Sequence, residues 1–123
     1  GGGRTNFDRD SVRAAAEKLD KRGVLVDCSH GNSKKDPALQ GDALRDVARQ
    51  VRSGANDVLG VMLESHLEEG SQSWKPGTTL RYGVSITDAC IGFEETDGLL
   101  RELAASVRGR RNARAGQVVT DAA

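Results

Sequence analysis

At 123 residues the chain fits one domain of ordinary size, and its 18 basic and 18 acidic side chains cancel, so no global field draws it toward nucleic acid or an anionic membrane. Only 3% of residues are aromatic, and no basic run is interleaved with stacking rings, which argues against nucleic-acid binding. No apolar run approaches the roughly 20 residues that cross a bilayer, no signal peptide is visible, and two cysteines, Cys28 and Cys90, are too few for a secreted disulfide framework and fit a reduced, cytoplasmic setting.

The chain opens on Gly1-Gly2-Gly3-Arg4 and its only methionine is Met62, so the expectation is a part of a longer polypeptide or a processed product. Asp8 is a candidate N-cap for a helix over about 9–22, with Val12, Ala15, Ala16 and Leu19 on one face and Gly23 as the stop. "VLVDC", residues 24–28, reads as a short buried strand. It runs straight into Asp27, Cys28, Ser29, His30 and Asn32, more polar and reactive side chains than a turn needs, which predicts chemistry at the strand's end.

Asp36-Pro37 is a cap followed by proline at the first helical position. The helix it opens extends to about Ser53, with Leu44, Val47, Ala48 and Val51 at i, i+3, i+4 and i+7, Gly41 weakening its first turn and Gly54 closing it. "VLGVMLES", residues 58–65, is a second buried strand. Residues 66–87 show no period, and a loop of that length inside a compact domain is often functional. "DACIG" is expected to form a short helical turn. The last helix, about Glu94 to Arg110, turns Leu99, Leu100, Leu103, Ala104 and Val107 inward and Arg101, Arg108, Arg110 and Arg111 outward; residues 112–123 read as a frayed, disordered tail.

Helix, strand, helix, strand, helix is an α/β arrangement whose crossovers make the two core strands parallel. Two parallel strands cannot cover both faces and both edges, so they need neighbours. In parallel α/β folds ligands bind beyond the carboxyl ends of the strands. His30 follows the first strand, Glu64 ends the second, and Asp88 comes after the long loop. One imidazole and two carboxylates suit a divalent first-row ion such as Mn2+, Fe2+, Co2+ or Zn2+. Each residue also has a plain structural reading: a hydrogen-bonded histidine, a strand-end carboxylate facing water, and a helix cap.

"DCSHGNS", "GVMLESHLEEGSQ" and "YGVSITDACIGFEETDGLLRELAASVRGRR" resemble, in order and spacing, the C-terminal part of the microbial type I 3-deoxy-D-arabino-heptulosonate 7-phosphate (DAHP) synthases, over about residues 1–111. The resemblance implies a (β/α)8 TIM barrel, of which this chain supplies about helix six to helix eight with two parallel core strands. It implies condensation of phosphoenolpyruvate with erythrose 4-phosphate and water to give DAHP and phosphate, the first step of the shikimate pathway and of aromatic amino acid biosynthesis, with a required divalent metal. Three of the family's metal ligands, the histidine of D-x-S-H, the glutamate of V-M-x-E-S-H and the aspartate of S-I-T-D-A-C, fall on His30, Glu64 and Asp88. The full enzyme is expected to be a cytoplasmic homo-oligomer.

The family's remaining ligand, a cysteine from early in the barrel, has no counterpart here, and Cys28 sits at a variable position of its motif. The family's phosphate-binding arginines and lysines precede the matched segment; Arg4 follows the glycine pair and does not replace them. The 123-residue chain alone is therefore expected to be inactive and to depend on the N-terminal part of the barrel. Lys34 and Lys35, after the first strand, are candidate contacts for a substrate phosphate. His66 reads as a loop hydrogen-bonding residue before a ligand, Trp74 and Tyr82 as packing for the long loop, and Cys90 as either a small buried hydrophobe or a redox-sensitive neighbour of the metal. A non-catalytic remnant and another metal-dependent aldolase on the same barrel remain open.

Overall fold

The computed structural model describes residues 4–20 and 22–121. Among these, β1 (Val24–Asp27) and β2 (Val58–Met62) form a two-stranded parallel sheet, flanked by α1 (Arg9–Lys18), α2 (Gln40–Arg52) and α3 (Phe93–Asp121). The expected order and the parallel pairing both hold. Val24 pairs with Val58, Leu25 with Gly60, Val26 with Val61 and Asp27 with Met62, so a bulge places Leu59 opposite no partner. The register brings the carboxyl ends of the two strands side by side, and the residues that follow them share one end of the sheet.

The helices form for local reasons. Asp8 caps α1, accepting from the Ser11 backbone N–H at 3.0 Å and from the Ser11 hydroxyl at 2.7 Å. α2 is preceded by a single 3-10 turn, Pro37–Leu39, capped by Asp36, so the α-helix proper starts later than the proline. It ends in a Schellman motif: Gly54 takes φ +99°, its N–H reaches the Val51 carbonyl, and the Ala55 N–H reaches the Gln50 carbonyl. Only a glycine takes that conformation without strain.

All three helices lie on one face of the sheet. Val12, Val26, Val47, Val51 and Val58 form one buried cluster, and Cys28, Ala43, Leu44, Ile91 and Leu99 form a second under the strand ends. Leu44, Val47, Ala48 and Val51 of α2 are all buried, as their spacing predicts. The strands are not buried on both faces as read from sequence: Leu25 is 59% and Leu59 74% exposed, on a face that none of the helices covers. Leu19 and Leu100 also point outward, because α1 ends at Lys18 and because only the Leu99, Leu103 and Val107 stripe of α3 meets the core.

Two further expectations are corrected. "DACIG" forms no helical turn; Cys90 and Ile91 are extended and bridge to Gly70 and Ser65. α3 does not stop near Arg110 but continues to Asp121, so the frayed tail expected from residue 112 is helical up to there, and residues 122–123 lie outside the described part. Asn112, Ala113, Arg114 and Ala115 contain no breaker strong enough to stop a helix already nucleated. Arg110 turns back to donate to the Ala55 carbonyl at 2.7 Å, tying α3 to the end of α2.

Candidate metal centre

The turn after β1 builds the first part of the site. Lys35 N–H bonds the His30 carbonyl at 2.8 Å, the Asn32 side chain donates to the Asp27 carbonyl at 2.7 Å, and the Asn32 N–H reaches back to Ser29. These bonds hold His30, Lys34 and Lys35 at φ near +50° to +63°. Left-handed non-glycine residues cost roughly 1–2 kcal/mol each, and such strain persists only where neighbours over-determine it. Asn6 adds a reciprocal pair, its N–H donating to the Asn32 side-chain oxygen at 2.7 Å and its own side chain accepting from Asn32 at 2.8 Å.

That turn fixes the imidazole. His30 Nδ1 lies 2.8 Å from Asp27 Oδ2 and 2.8 Å from the Ser29 hydroxyl. The other Asp27 oxygen accepts from the Ser29 N–H at 2.8 Å and from its hydroxyl at 2.6 Å. With Nδ1–H donated to a carboxylate, the neutral ring presents its Nε2 lone pair on the opposite side. There Nε2 faces Glu64 Oε1 at 3.4 Å and Asp88 Oδ2 at 3.8 Å. One ligand atom from each of His30, Glu64 and Asp88 lies within 4.8 Å of the others.

Glu64 and Asp88 reach this point from separate segments joined by backbone pairing. Glu64 follows β2, and its carbonyl accepts from the Ile91 N–H at 3.0 Å; Ser65 bridges Ile91, and the His66 N–H donates to the Ile91 carbonyl. The long loop between them is braced by Gln72, whose side chain accepts from the Arg81 N–H at 2.8 Å and donates to the Arg81 and Val84 carbonyls. The loop is therefore ordered by polar bonds. Trp74 and Tyr82 do not pack it as expected: they are 58% and 90% exposed.

The charges around the site respond to one another. The hydrogen bond to Asp27, and then the charges of Glu64 and Asp27, hold the His30 pKa above the ordinary imidazole value. Burial raises the Glu64 carboxyl; the charge of His30 opposes this and that of Asp88 adds to it. Burial would also raise Asp27, but the bonds from Ser29 and His30 outweigh it and keep its carboxyl below the usual range. Two carboxylates and an imidazole lone pair brought within 4.8 Å of one another are oxygen and nitrogen donors of the kind that could hold a divalent cation.

The structure brings together the three predicted ligands and separates them from the rest. A cavity of about 110 Å³ is lined by His30, Ser33, Lys35, Pro37, Gln40, Glu64, Asp88 and Ala89. Lys35 lines it and Lys34 does not. His66 stays outside the cluster, its Nδ1 accepting from the Leu67 N–H at 2.9 Å. Cys28 is fully buried, and burial together with the Asp27 charge pushes its thiol up to about 11. Cys90 is buried too, its thiol also raised by burial, so the structure favours the small-hydrophobe reading of it.

Two residues that support the site are not marked as functional by the sequence. Asp27 stands three before a histidine at a strand's end, which is a signal, yet by sequence it is only one member of a polar cluster. Gln40 carried none; it lay in the weakened first turn of a helix, and it proves fully buried and bonded to the peptide of Glu64.

A family model described as the DAHP synthetase I family matches residues 1–101. The chain is 48% identical to the Phe-sensitive phospho-2-dehydro-3-deoxyheptonate aldolase of Escherichia coli K12, over 90% of this chain and 33% of that protein. It is 40% identical to the Tyr-sensitive phospho-2-dehydro-3-deoxyheptonate aldolase of Enterobacter agglomerans, over 97% of this chain and 58% of that sequence. Among solved structures, the phospho-2-dehydro-3-deoxyheptonate aldolase of Francisella tularensis SCHU S4 superposes with a TM-score of 0.82 at 40% identity, over 89% of this chain and 33% of the other. The chain thus spans about a third of the length of the Escherichia coli and Francisella proteins.

Proposed function

The chain belongs to the DAHP synthetase I family, and from that premise we propose that it carries metal-binding machinery of a 3-deoxy-7-phosphoheptulonate synthase. The reaction is condensation of phosphoenolpyruvate with erythrose 4-phosphate and water, giving DAHP and phosphate. In this reading the two strands and their helices are the segment from about helix six to helix eight of a (β/α)8 barrel, in a cytoplasmic, homo-oligomeric enzyme. The convergence of His30, Glu64 and Asp88, with Asp27 behind His30, is the observation that carries it.

His30, Glu64 and Asp88 would hold a divalent ion, and the chemistry it would supply when bound is Lewis-acid polarisation of the aldehyde oxygen of erythrose 4-phosphate. Asp27 keeps the proton on Nδ1, so His30 meets the cation as a neutral donor rather than as a competing charge. Glu64 and Asp88 bring negative charge to offset the cation. Lys35, on the cavity wall, offers an ammonium to a substrate phosphate; Lys34 stands outside it. The methylene carbon of phosphoenolpyruvate bonds to the aldehyde carbon through its C=C electron pair, and the aldehyde oxygen takes up a proton. Water adds to the carbon bearing the phosphate and gives up its protons, and phosphate leaves as that carbon becomes the ketone.

The test is an assay of the polypeptide that carries this chain, following phosphate release and heptulosonate formation from the two substrates. Activity should vanish on chelation, return with Mn2+ or Co2+, and be lost in His30→Ala. Turnover that survives full metal removal, or no product with metal present, overturns the reading.

A further inference from the structure

We propose that Gln40 is a positioning residue that sets the Glu64 carboxylate in the metal centre by gripping the backbone of Glu64 itself. The inference rests on the metal-centre reading above. Gln40 is the first residue of α2, 24 positions before Glu64, and its side chain is fully buried. Its Oε1 accepts from the Glu64 N–H at 2.8 Å, and its Nε2 donates to the Glu64 carbonyl at 3.1 Å. A side-chain amide carries one acceptor and one donor group, and here both are spent on the N–H and C=O of a single residue.

The placement has a consequence for the ligand. Glu64 lies beyond the last residue of β2, Met62, where pairing with β1 has ended and only the bridge between Ser65 and Ile91 remains beside it. Its carbonyl has two lone pairs, one taken by the Ile91 N–H at 3.0 Å and the other by Gln40. The segment that follows Asp88 therefore holds Glu64 from one side and α2 holds it from the other. The Glu64 N–H is satisfied by Gln40, so both polar groups of the backbone from which the Glu64 side chain projects are held by this residue. The same glutamine lines the cavity that His30, Glu64 and Asp88 share. A glutamine buried in a helix for packing alone could be replaced by an apolar residue of equal size without touching the ligand; this one could not.

The experiment titrates Mn2+ into the full chain as wild type, Gln40→Met, Gln40→Asn and His30→Ala, with thermal unfolding followed in parallel and the visible spectrum of bound Co2+ recorded. Met matches the size of Gln and makes neither bond; Asn keeps the amide one methylene short and reaches at most one partner. The expected order of affinity is wild type, then Asn, then Met, with Met weakened 10- to 100-fold, the range usual for residues that orient a ligand, and with an altered Co2+ spectrum in protein that remains folded. Wild-type affinity and an unchanged spectrum in folded Gln40→Met overturn the proposal; if Met does not fold, the same result in Gln40→Asn overturns it. Failure of the metal-centre reading is distinguishable, because wild type would then bind no better than His30→Ala, and the Gln40 proposal falls with it.

Discussion

Replacing Asp27 by Asn should weaken cation binding at the proposed metal centre while leaving its shape in place. Asp27 accepts three hydrogen bonds, two from Ser29 on one oxygen and one from His30 Nδ1 on the other. An Asn fits the same space, and its single carbonyl oxygen is best used by the two Ser29 donors. Its amide NH2 then faces Nδ1, which must become an acceptor, and the ring proton moves to Nε2. That proton points at Glu64 Oε1, 3.4 Å away, and occupies the lone pair the cation needs. Loss of such an orienting partner commonly weakens metal binding 10- to 100-fold, equivalent to about 1.4–2.7 kcal/mol.

A second effect runs the other way and has to be separated. Asp27 also raises the His30 pKa, so removing its charge reduces proton competition near neutrality. The variant's affinity should therefore fall less steeply toward acid while its plateau at high pH is lower. Calorimetric titration with Mn2+ from about pH 7 to 9, spanning the range above an ordinary imidazole near 6.5, separates the two, and nitrogen-15 correlation spectra of His30 report the tautomer directly. Wild-type affinity on the alkaline plateau, or an Nδ1–H tautomer retained in the variant, would refute the reasoning.

Leu44→Ala should destabilise the fold by about 2–5 kcal/mol, because Leu44 is fully buried beside Cys28, Ile91 and Leu99; a smaller shift of the urea midpoint would mean that the site collapses around the cavity. Cys28 should resist a thiol reagent at pH 8 in the folded chain and react on denaturation, as its burial and a pKa near 11 require. Lys35→Ala should raise the KM for a phosphorylated substrate in the full enzyme while Lys34→Ala leaves it unchanged, since only Lys35 lines the cavity; equal effects would remove the distinction. The His30 pKa is raised on folding, so its contribution to the stability of the metal-free chain is fully present below about 6.5 and is lost as pH rises through the elevated value. Unfolding temperatures measured in chelator across that range should decline, and saturating metal should reverse the trend.

The three residues of the candidate metal centre could be singled out in sequence because they are metal-binding side-chain types at positions where parallel α/β folds gather chemistry, while their reading as ligands came from the resemblance to the DAHP synthases. His30 and Glu64 follow strands whose apolar runs announce them, and Asp88 ends a loop too long to be idle. The helices were legible through Asp8, Asp36-Pro37 and Gly54, each a local device whose effect extends over a few residues. Burial was less so. "VLVDC" and "VLGVM" identify strands, but whether Leu25 and Leu59 are covered depends on what lies against the sheet, and the helices cover only its other face. Trp74 and Tyr82 were expected inside a loop that Gln72 holds together without them.

What the sequence hid is the support behind the ligands, and the reason is the distance over which that support acts. Asp27 orients His30 across three residues and left a trace in the motif. Gln40 fixes Glu64 across 24 residues, through a contact that exists only once α2 has docked against the end of β2. No periodicity or cap signal reports such a bond, because the donor and acceptor being satisfied belong to the backbone of another segment. In the proposed metal centre, a swap at His30, Glu64 or Asp88 would remove a donor. A swap at Gln40 or Asp27 keeps every ligand and changes where its atoms stand, so the two classes should separate in measurement: the first by loss of a donor from the coordination shell, the second by weakened affinity with the donor set intact.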